Sequence, residues 1–224
     1  MIIPENKDYL IFVKTAKTGG ASCVEILKEI AINSNIKFCT YDNIKNIVAG
    51  DILLIVNDQM HFFKENYPHI FDKSYFVMIS RHPYTRLLSG WKYHYMTKNR
   101  NLYDLLDKPI MPPKKPYEIE WEQKMPKYTW DLFSMYNHFY CSQTEAIIFD
   151  DVFIMDYIIV FENFDEEINK FLEHIQYNKS IEIPHCNKFN NLDSNYLYDK
   201  KHIIAKINEM FDDDFRLLGY SKIE

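Results

Sequence analysis

Glycine is scarce in this chain, 5 among 224 residues, while tyrosine reaches 17 and phenylalanine 16. With isoleucine, asparagine, lysine and aspartate also plentiful, the bias is that of AT-rich coding, and many of the tyrosines, asparagines and lysines read as surface drift. Cysteine is sparse too: Cys23, Cys39, Cys141 and Cys186 form no CxxC pair. Such spacing excludes a disulfide scaffold and fits a reducing compartment. His138-x-x-Cys141 and His185-Cys186 lack an established zinc-ligand spacing, so no metal is expected. Positive charge is not in excess, and a formal net charge of −6 gives no general nucleic-acid-binding surface. Neither a charged-then-apolar leader nor an apolar run of membrane-spanning length occurs. The expectation is a soluble chain, cytoplasmic rather than secreted unless an anchor has been removed. What is present is globular in composition, 47% hydrophobic and 26% charged, and long enough for one substantial core. A single domain over residues 1–224 is expected.

The rest of the chain is organised around Tyr9 to Ile32. An apolar run rich in β-branched and aromatic residues, Tyr9 to Val13, meets a polar turn, Lys14 to Ser22, and then a segment of helical periodicity. Val24, Leu27, Ile30 and Ala31 fall on one face of that helix and Glu25, Lys28 and Glu29 on the other, so it can lie against a sheet. Gly19 and Gly20 permit φ > 0 and close approach of the backbone to a ligand, and the first N–H groups of the helix have no partner within it. Lys17 adds a cation, and Thr18 and Ser22 add hydroxyls. An ordinary tight turn before a capped helix is the alternative. The preceding strand and the order Lys-Thr-Gly-Gly-x-Ser favour an anion site.

Further along, Ile36 to Tyr41 reads as a short strand, and Asp51 to Val56 and Ser74 to Ile79 read as buried strands. Their consecutive apolar residues are those of parallel strands covered on both faces. Pro83 to about Thr97 reads as a helix with Leu87, Leu88, Trp91 and Tyr95 at core spacing, Pro83 suiting its first turn. From Asn99 to Trp130 five prolines are interleaved with lysine and glutamate, which reads as a long loop or insertion beside a substrate site or as a plain surface excursion. Trp130 to Phe149 reads as mostly helical, Tyr157 to Phe161 as a buried strand, Asp165 to Ile175 as an amphipathic helix, and Tyr198 to Phe211 as a last helix. Alternating strands and helices argue for a three-layer α/β fold with a central, mainly parallel sheet flanked by helices. Ligands of such sheets sit beyond the carboxyl ends of the strands, which gathers three polar exits at one edge: Lys14 to Ser22, Asn57 to His61, and Ser80 to Ser89.

Those exits suggest two anion subsites and a base. The first loop cradles one charged group, and Arg81 with Ser89 supplies a second phosphate subsite. His61 brings an imidazole, the side chain whose ordinary pKa of about 6.5 suits proton removal near neutral pH.

Here the sequence resembles the sulfotransferases that use 3′-phosphoadenosine-5′-phosphosulfate (PAPS), in particular the Golgi-type carbohydrate sulfotransferases and their uronyl 2-O-sulfotransferase branch. Their 5′-phosphosulfate loop, PKTGGTS, is matched by Ala16-Lys17-Thr18-Gly19-Gly20-Ala21-Ser22, with Ala16 and Ala21 as departures. Their 3′-phosphate motif, RDPxxRxxSxY, is matched by Arg81-His82-Pro83 through Arg86 and Ser89 to Trp91, with His82 in place of Asp. Shorter matches follow at Met60-His61-Phe62, Ser142-Gln143-Thr144, Phe161 to Phe164, Cys186-Asn187-Lys188 and Asp214 to Tyr220. The resemblance implies a P-loop-like fold and transfer of a sulfuryl group to an acceptor hydroxyl, with a carbohydrate as the implied acceptor. It also implies roles: Lys17 on the leaving oxygen; Thr18, Gly19, Gly20, Ala21 and Ser22 around the phosphosulfate; Arg81 and Ser89 on the 3′-phosphate; Lys188 over the cofactor; His61 as base.

Two rivals remain. A P-loop nucleotide kinase shares the strand-loop-helix start, but Lys17 precedes the glycines and the order GxxxxGK[ST] is absent. The departures at Ala16, Ala21 and His82 also fit a catalytically silent glycan- or partner-binding module of the same fold.

Overall fold

A computed structural model describes residues 3–4, 6–56, 59–94, 102, 106, 138–184, 186, 197 and 200–224, the backbone alone at His94. These fall into two compact units, residues 1–80 with 146–188 and residues 81–145 with 189–224.

The first unit is built on a five-stranded sheet of order β2-β3-β1-β4-β7. Its strands are β1 (Tyr9–Lys14), β2 (Phe38–Thr40), β3 (Ile52–Val56), β4 (Ser74–Ser80) and β7 (Tyr157–Val160), and every neighbouring pair is parallel. The expected α/β fold with a parallel sheet is therefore observed. Its cause is visible in β4, where all seven residues are buried: a strand without a polar face needs cover on both sides. Part of that cover is α1 (Gly20–Ser34), whose Leu27 and Ile30 are fully buried. Removing each of those side chains from water contributes about 1.5–3 kcal/mol. Glu25 stays outside, paired with Lys28 at 2.8 Å. Asn35, left-handed at φ 55°, ends α1. Two short helices, α2 (Met60–Asn66) and α3 (Pro68–Phe71), follow β3. After β7, α5 (Phe164–His174) buries Ile168 and Phe171 against the sheet's core cluster. Its first turn carries Asp165, Glu166 and Glu167, complementary to the helix dipole.

One expectation fails in this unit. The reading of Trp130 to Phe149 as mostly helical holds at His138 and Phe139, the first of its described residues, and then gives way to a single 3₁₀ turn at Glu145–Ile147 and an antiparallel hairpin of β5 (Ile148–Phe149) and β6 (Val152–Phe153). Asp150 and Asp151 at its tip both take positive φ, 52° and 62°, which the short polar side chain of aspartate tolerates. No glycine marks that turn.

The second unit is helical among its described residues: α4 (Pro83–His94), α6 (Lys201–Met210) and α7 (Asp212–Leu217). Tyr84, Leu87, Phe139, Ile207, Phe211 and Phe215 share its core. Gly90 lets α4 pass hard against the chain at His138, since a Cβ there would lie 2.2 Å from the His138 carbonyl oxygen. Of the Asn99 to Trp130 segment, Leu102 and Leu106 are described, both buried in this core. Among the described residues no helix is long and apolar enough to cross a membrane.

Candidate anion-binding loop and arginine cluster

Strand β1 lies between β3 and β4, so the chain leaves it toward one side of the sheet and returns past it to the other. In parallel sheets such a reversal is where ligands bind, beyond the carboxyl end of the strand, and residues Lys14 to Ser22 lie at that end of β1. Thr15 forms the floor of this loop. Its buried hydroxyl donates to the carbonyl of Ile79 on β4 at 3.1 Å, and Thr18 donates its own to the Thr15 carbonyl at 3.1 Å. Both hydroxyls thus hold the loop to the sheet. Lys17, half-buried, takes a left-handed φ of 65° and Gly19 one of 91°.

Gly19 is fixed by more than its φ. A Cβ at that position would stand 2.6 Å from two ring carbons of Phe161, which follows β7 directly and closes on the loop. At Gly20 a Cβ would come within 2.9 Å of Cγ of Lys14. Helix α1 then starts with no side-chain cap and no acidic residue in its first turn. The positive end of this 15-residue helix thus meets no side-chain carboxylate or hydroxyl cap of its own, a setting that favours an anion. Ser22 Oγ accepts from the Cys186 N–H at 2.9 Å, and that hydroxyl retains a proton of its own to donate. Ala21 is half-buried beside it. Cys23, by contrast, is sealed in the core, where burial pushes its thiol far above the ordinary range and makes it a packing residue.

His61 is the second residue of α2 and is exposed. Val56, the last residue of β3, is the register partner of Lys14, so the chain leading to His61 leaves the sheet at the same edge as the loop. The His61 ring lies 4.6 Å from that of Phe149 in the hairpin. Lys64, one turn further along α2, sits 4.5 Å over Phe149 and pairs with Asp150 at 3.3 Å. The hairpin braces the helix that carries His61.

Arg81 opens the second unit, 8% exposed. Gln143 holds its backbone from both sides: the Gln143 side-chain oxygen accepts from the Arg81 N–H at 2.8 Å, and its Nε2 donates to the Arg81 carbonyl at 2.8 Å. Arg81 Nε donates to Thr85 Oγ1 at 3.2 Å. Gln143 is in turn held by Asp214, fully buried, whose carboxylate accepts from the backbone N–H groups of Gln143 and Thr144 and from the hydroxyls of Ser142 and Thr144. Arg86, 1% exposed, faces the same carboxylate at 3.8 Å and lies over Phe211 at 4.7 Å. Burial lowers the Arg86 pKa and Asp214 works against that shift. Ser89 lies two turns beyond Arg81 in α4, half-buried. His82 is boxed by the rings of Tyr84, Phe215 and Tyr220 at 5.1, 5.8 and 4.9 Å.

Within the first unit, then, the loop from Lys17 to Ser22 and the approach to His61 share one sheet edge. Within the second, Arg81, Arg86, Ser142 to Thr144 and Asp214 form one cluster. Lys188 lies outside the described residues. Thr15, Phe161, Gln143 and Asp214 carry structural weight that the spacing of residues did not reveal. For Thr15 the one available signal was its place between the strand and the lysine.

No family model and no curated protein matches this chain. Among solved structures, it aligns with a sulfotransferase from Alicyclobacillus acidocaldarius over 93% of its own length and 97% of the other's, at 13% identity and a TM-score of 0.42. That likeness is too distant to carry chemistry.

Proposed function

We propose that the protein is a PAPS-dependent sulfotransferase acting on a hydroxyl-bearing acceptor, with a carbohydrate as the favoured class. One observation supports this most: an uncapped helix start free of acidic residues, at the switch point of a parallel sheet, reached through a left-handed Lys17 and a Gly19 packed under Phe161. The order Lys-Thr-Gly-Gly-x-Ser in that loop follows the 5′-phosphosulfate motif, with Ala21 as a departure, and the donors available there fit an anionic group. PAPS supplies the activated sulfuryl group. The N–H groups of Gly19, Gly20 and Ala21 and the Ser22 hydroxyl hold the 5′ end. Lys17 neutralises charge gathering on the oxygen that leaves with the 5′-phosphate as its bond to sulfur breaks. Arg81, with Ser89, takes the 3′-phosphate, the guanidinium engaging it in a two-pronged fashion. His61 accepts the proton of the acceptor hydroxyl while its oxygen bonds to sulfur. The protein mainly positions and stabilises, as in phosphoryl transfer.

The test is thermal unfolding of the full chain with 3′-phosphoadenosine-5′-phosphate (PAP), ATP or ADP, each at about a hundredfold excess over its dissociation constant. Binding of that kind adds roughly 2.7 kcal/mol and should raise the midpoint by roughly 5–10 °C. A rise with PAP alone supports the proposal. A rise with ATP instead favours a nucleotide kinase, and no rise with any of them favours the silent binding module.

A further inference from the structure

Arg81 owes its position to a side chain rather than to regular backbone pairing. Its N–H and its carbonyl are both taken by the one amide of Gln143, each at 2.8 Å, so that the side chain spans the residue like a base pair. Gln143 is 1% exposed and Arg81 is 8% exposed, and both lie in the second unit. The amide cannot rotate away, because its Nε2 also lies 3.3 Å from Asp214 Oδ2 and the Gln143 backbone N–H reaches both oxygens of that carboxylate at 2.9 and 3.0 Å. Asp214 is itself held by Thr144 and Ser142 and faced by Arg86. A two-way clamp of this kind fixes the peptide planes on either side of Arg81, which sets the direction in which its side chain leaves the backbone.

We propose that Gln143, backed by the buried Asp214, is the positioning residue that makes Arg81 selective for a 3′-phosphorylated nucleotide. The inference rests on Arg81 receiving the 3′-phosphate. Gln143 never touches the ligand. It acts by holding the arginine backbone in one orientation, and its loss lets the guanidinium wander out of the geometry in which two donors meet one phosphate.

The experiment is isothermal titration of the full chain with PAP and with AMP, two nucleotides that differ by the 3′-phosphate. In Gln143→Met the side chain keeps its length and loses both hydrogen bonds, and the ratio of AMP to PAP dissociation constants is expected to fall about tenfold, while AMP affinity stays within about twofold. Ile207→Val, in the core of the same unit, controls for general destabilisation and is expected to keep the wild-type ratio. Should Gln143→Met fail to fold, Gln143→Asn serves: it keeps the amide but is one methylene too short to reach both groups, and the same fall is expected. A wild-type ratio in either Gln143 variant, or an equal fall in Ile207→Val, overturns the positioning role. A wild-type protein that binds PAP no better than AMP refutes the sulfotransferase reading itself, and the role of Gln143 falls with it.

Discussion

Replacing Gly19 by alanine tests the loop directly. The backbone there has φ 91°, a conformation that costs an L-residue about 1–2 kcal/mol. The new methyl would sit 2.6 Å from Cδ2 and Cε2 of Phe161, against ordinary contacts nearer 3.5–4 Å, and relieving such an overlap costs about 1–3 kcal/mol. Against these stands the smaller entropy of the unfolded alanine chain, about 0.4–1 kcal/mol in favour of the variant. The sum is a loss of about 1–4.5 kcal/mol, or a fall in the unfolding midpoint of roughly 2–18 °C for a chain of this size. The two terms are separable, because shrinking the ring should relieve the overlap and leave the backbone strain. In a Phe161→Leu background the same alanine is therefore expected to cost about half as much. Differential scanning calorimetry on the four proteins of this cycle gives the coupling. A Gly19→Ala protein that melts within 1 °C of wild type would show that neither the φ nor the Phe161 contact constrains the loop.

His61→Ala should leave PAP affinity nearly unchanged and lower turnover of sulfate transfer by about two orders of magnitude or more, read from steady-state kinetics; a parallel loss of PAP binding would sink the assignment as base. Asp214→Asn removes the charge that faces Arg86 in a fully buried setting and should cost about 3–5 kcal/mol in urea denaturation, and a loss under 1 kcal/mol would refute the view that this cluster anchors the second unit. Burial raises the Tyr75 phenol from 10.0 to about 12, and a group with a raised folded pKa stabilises fully below its unfolded value and loses that contribution as pH rises through the folded one. Stability of the wild type should therefore fall between pH 10 and about 12 more steeply than that of Tyr75→Phe. Parallel urea midpoints for the two proteins across that window would contradict it.

The sheet was legible in the sequence because parallel strands advertise themselves: Ile52 to Val56, Ser74 to Ile79 and Tyr157 to Val160 are consecutive apolar runs, and each is a strand of the sheet. The hairpin at Ile148 to Phe153 was not, since its strands are two residues long and its turn is made by Asp150 and Asp151 rather than by glycine. The candidate loop from Lys17 to Ser22 showed in residue order alone. Its floor did not, because Thr15 acts through a carbonyl 64 positions away at Ile79. Asp214 shows the limit most sharply. The stretch from Asp214 to Tyr220 stood out as a motif, yet the partners that give the carboxylate its purpose lie around Gln143, 71 residues earlier, and no local pattern couples two such positions.

The two units are interleaved along the chain, and that has a consequence for synthesis. The first unit is complete only when residues 146–188 have been made, because β7 pairs with β4 from that second stretch. Between them the ribosome must emit residues 81–145, which belong to the other unit and wait in turn for residues 189–224. The nascent chain therefore carries β4 with one edge unpaired while most of another unit emerges, and long-range parallel pairing is slow to form. That interval, rather than any weakness of the finished molecule, is when an exposed apolar strand edge invites aggregation, and slowed translation or a chaperone acting between residues 80 and 160 is where yield would be won or lost.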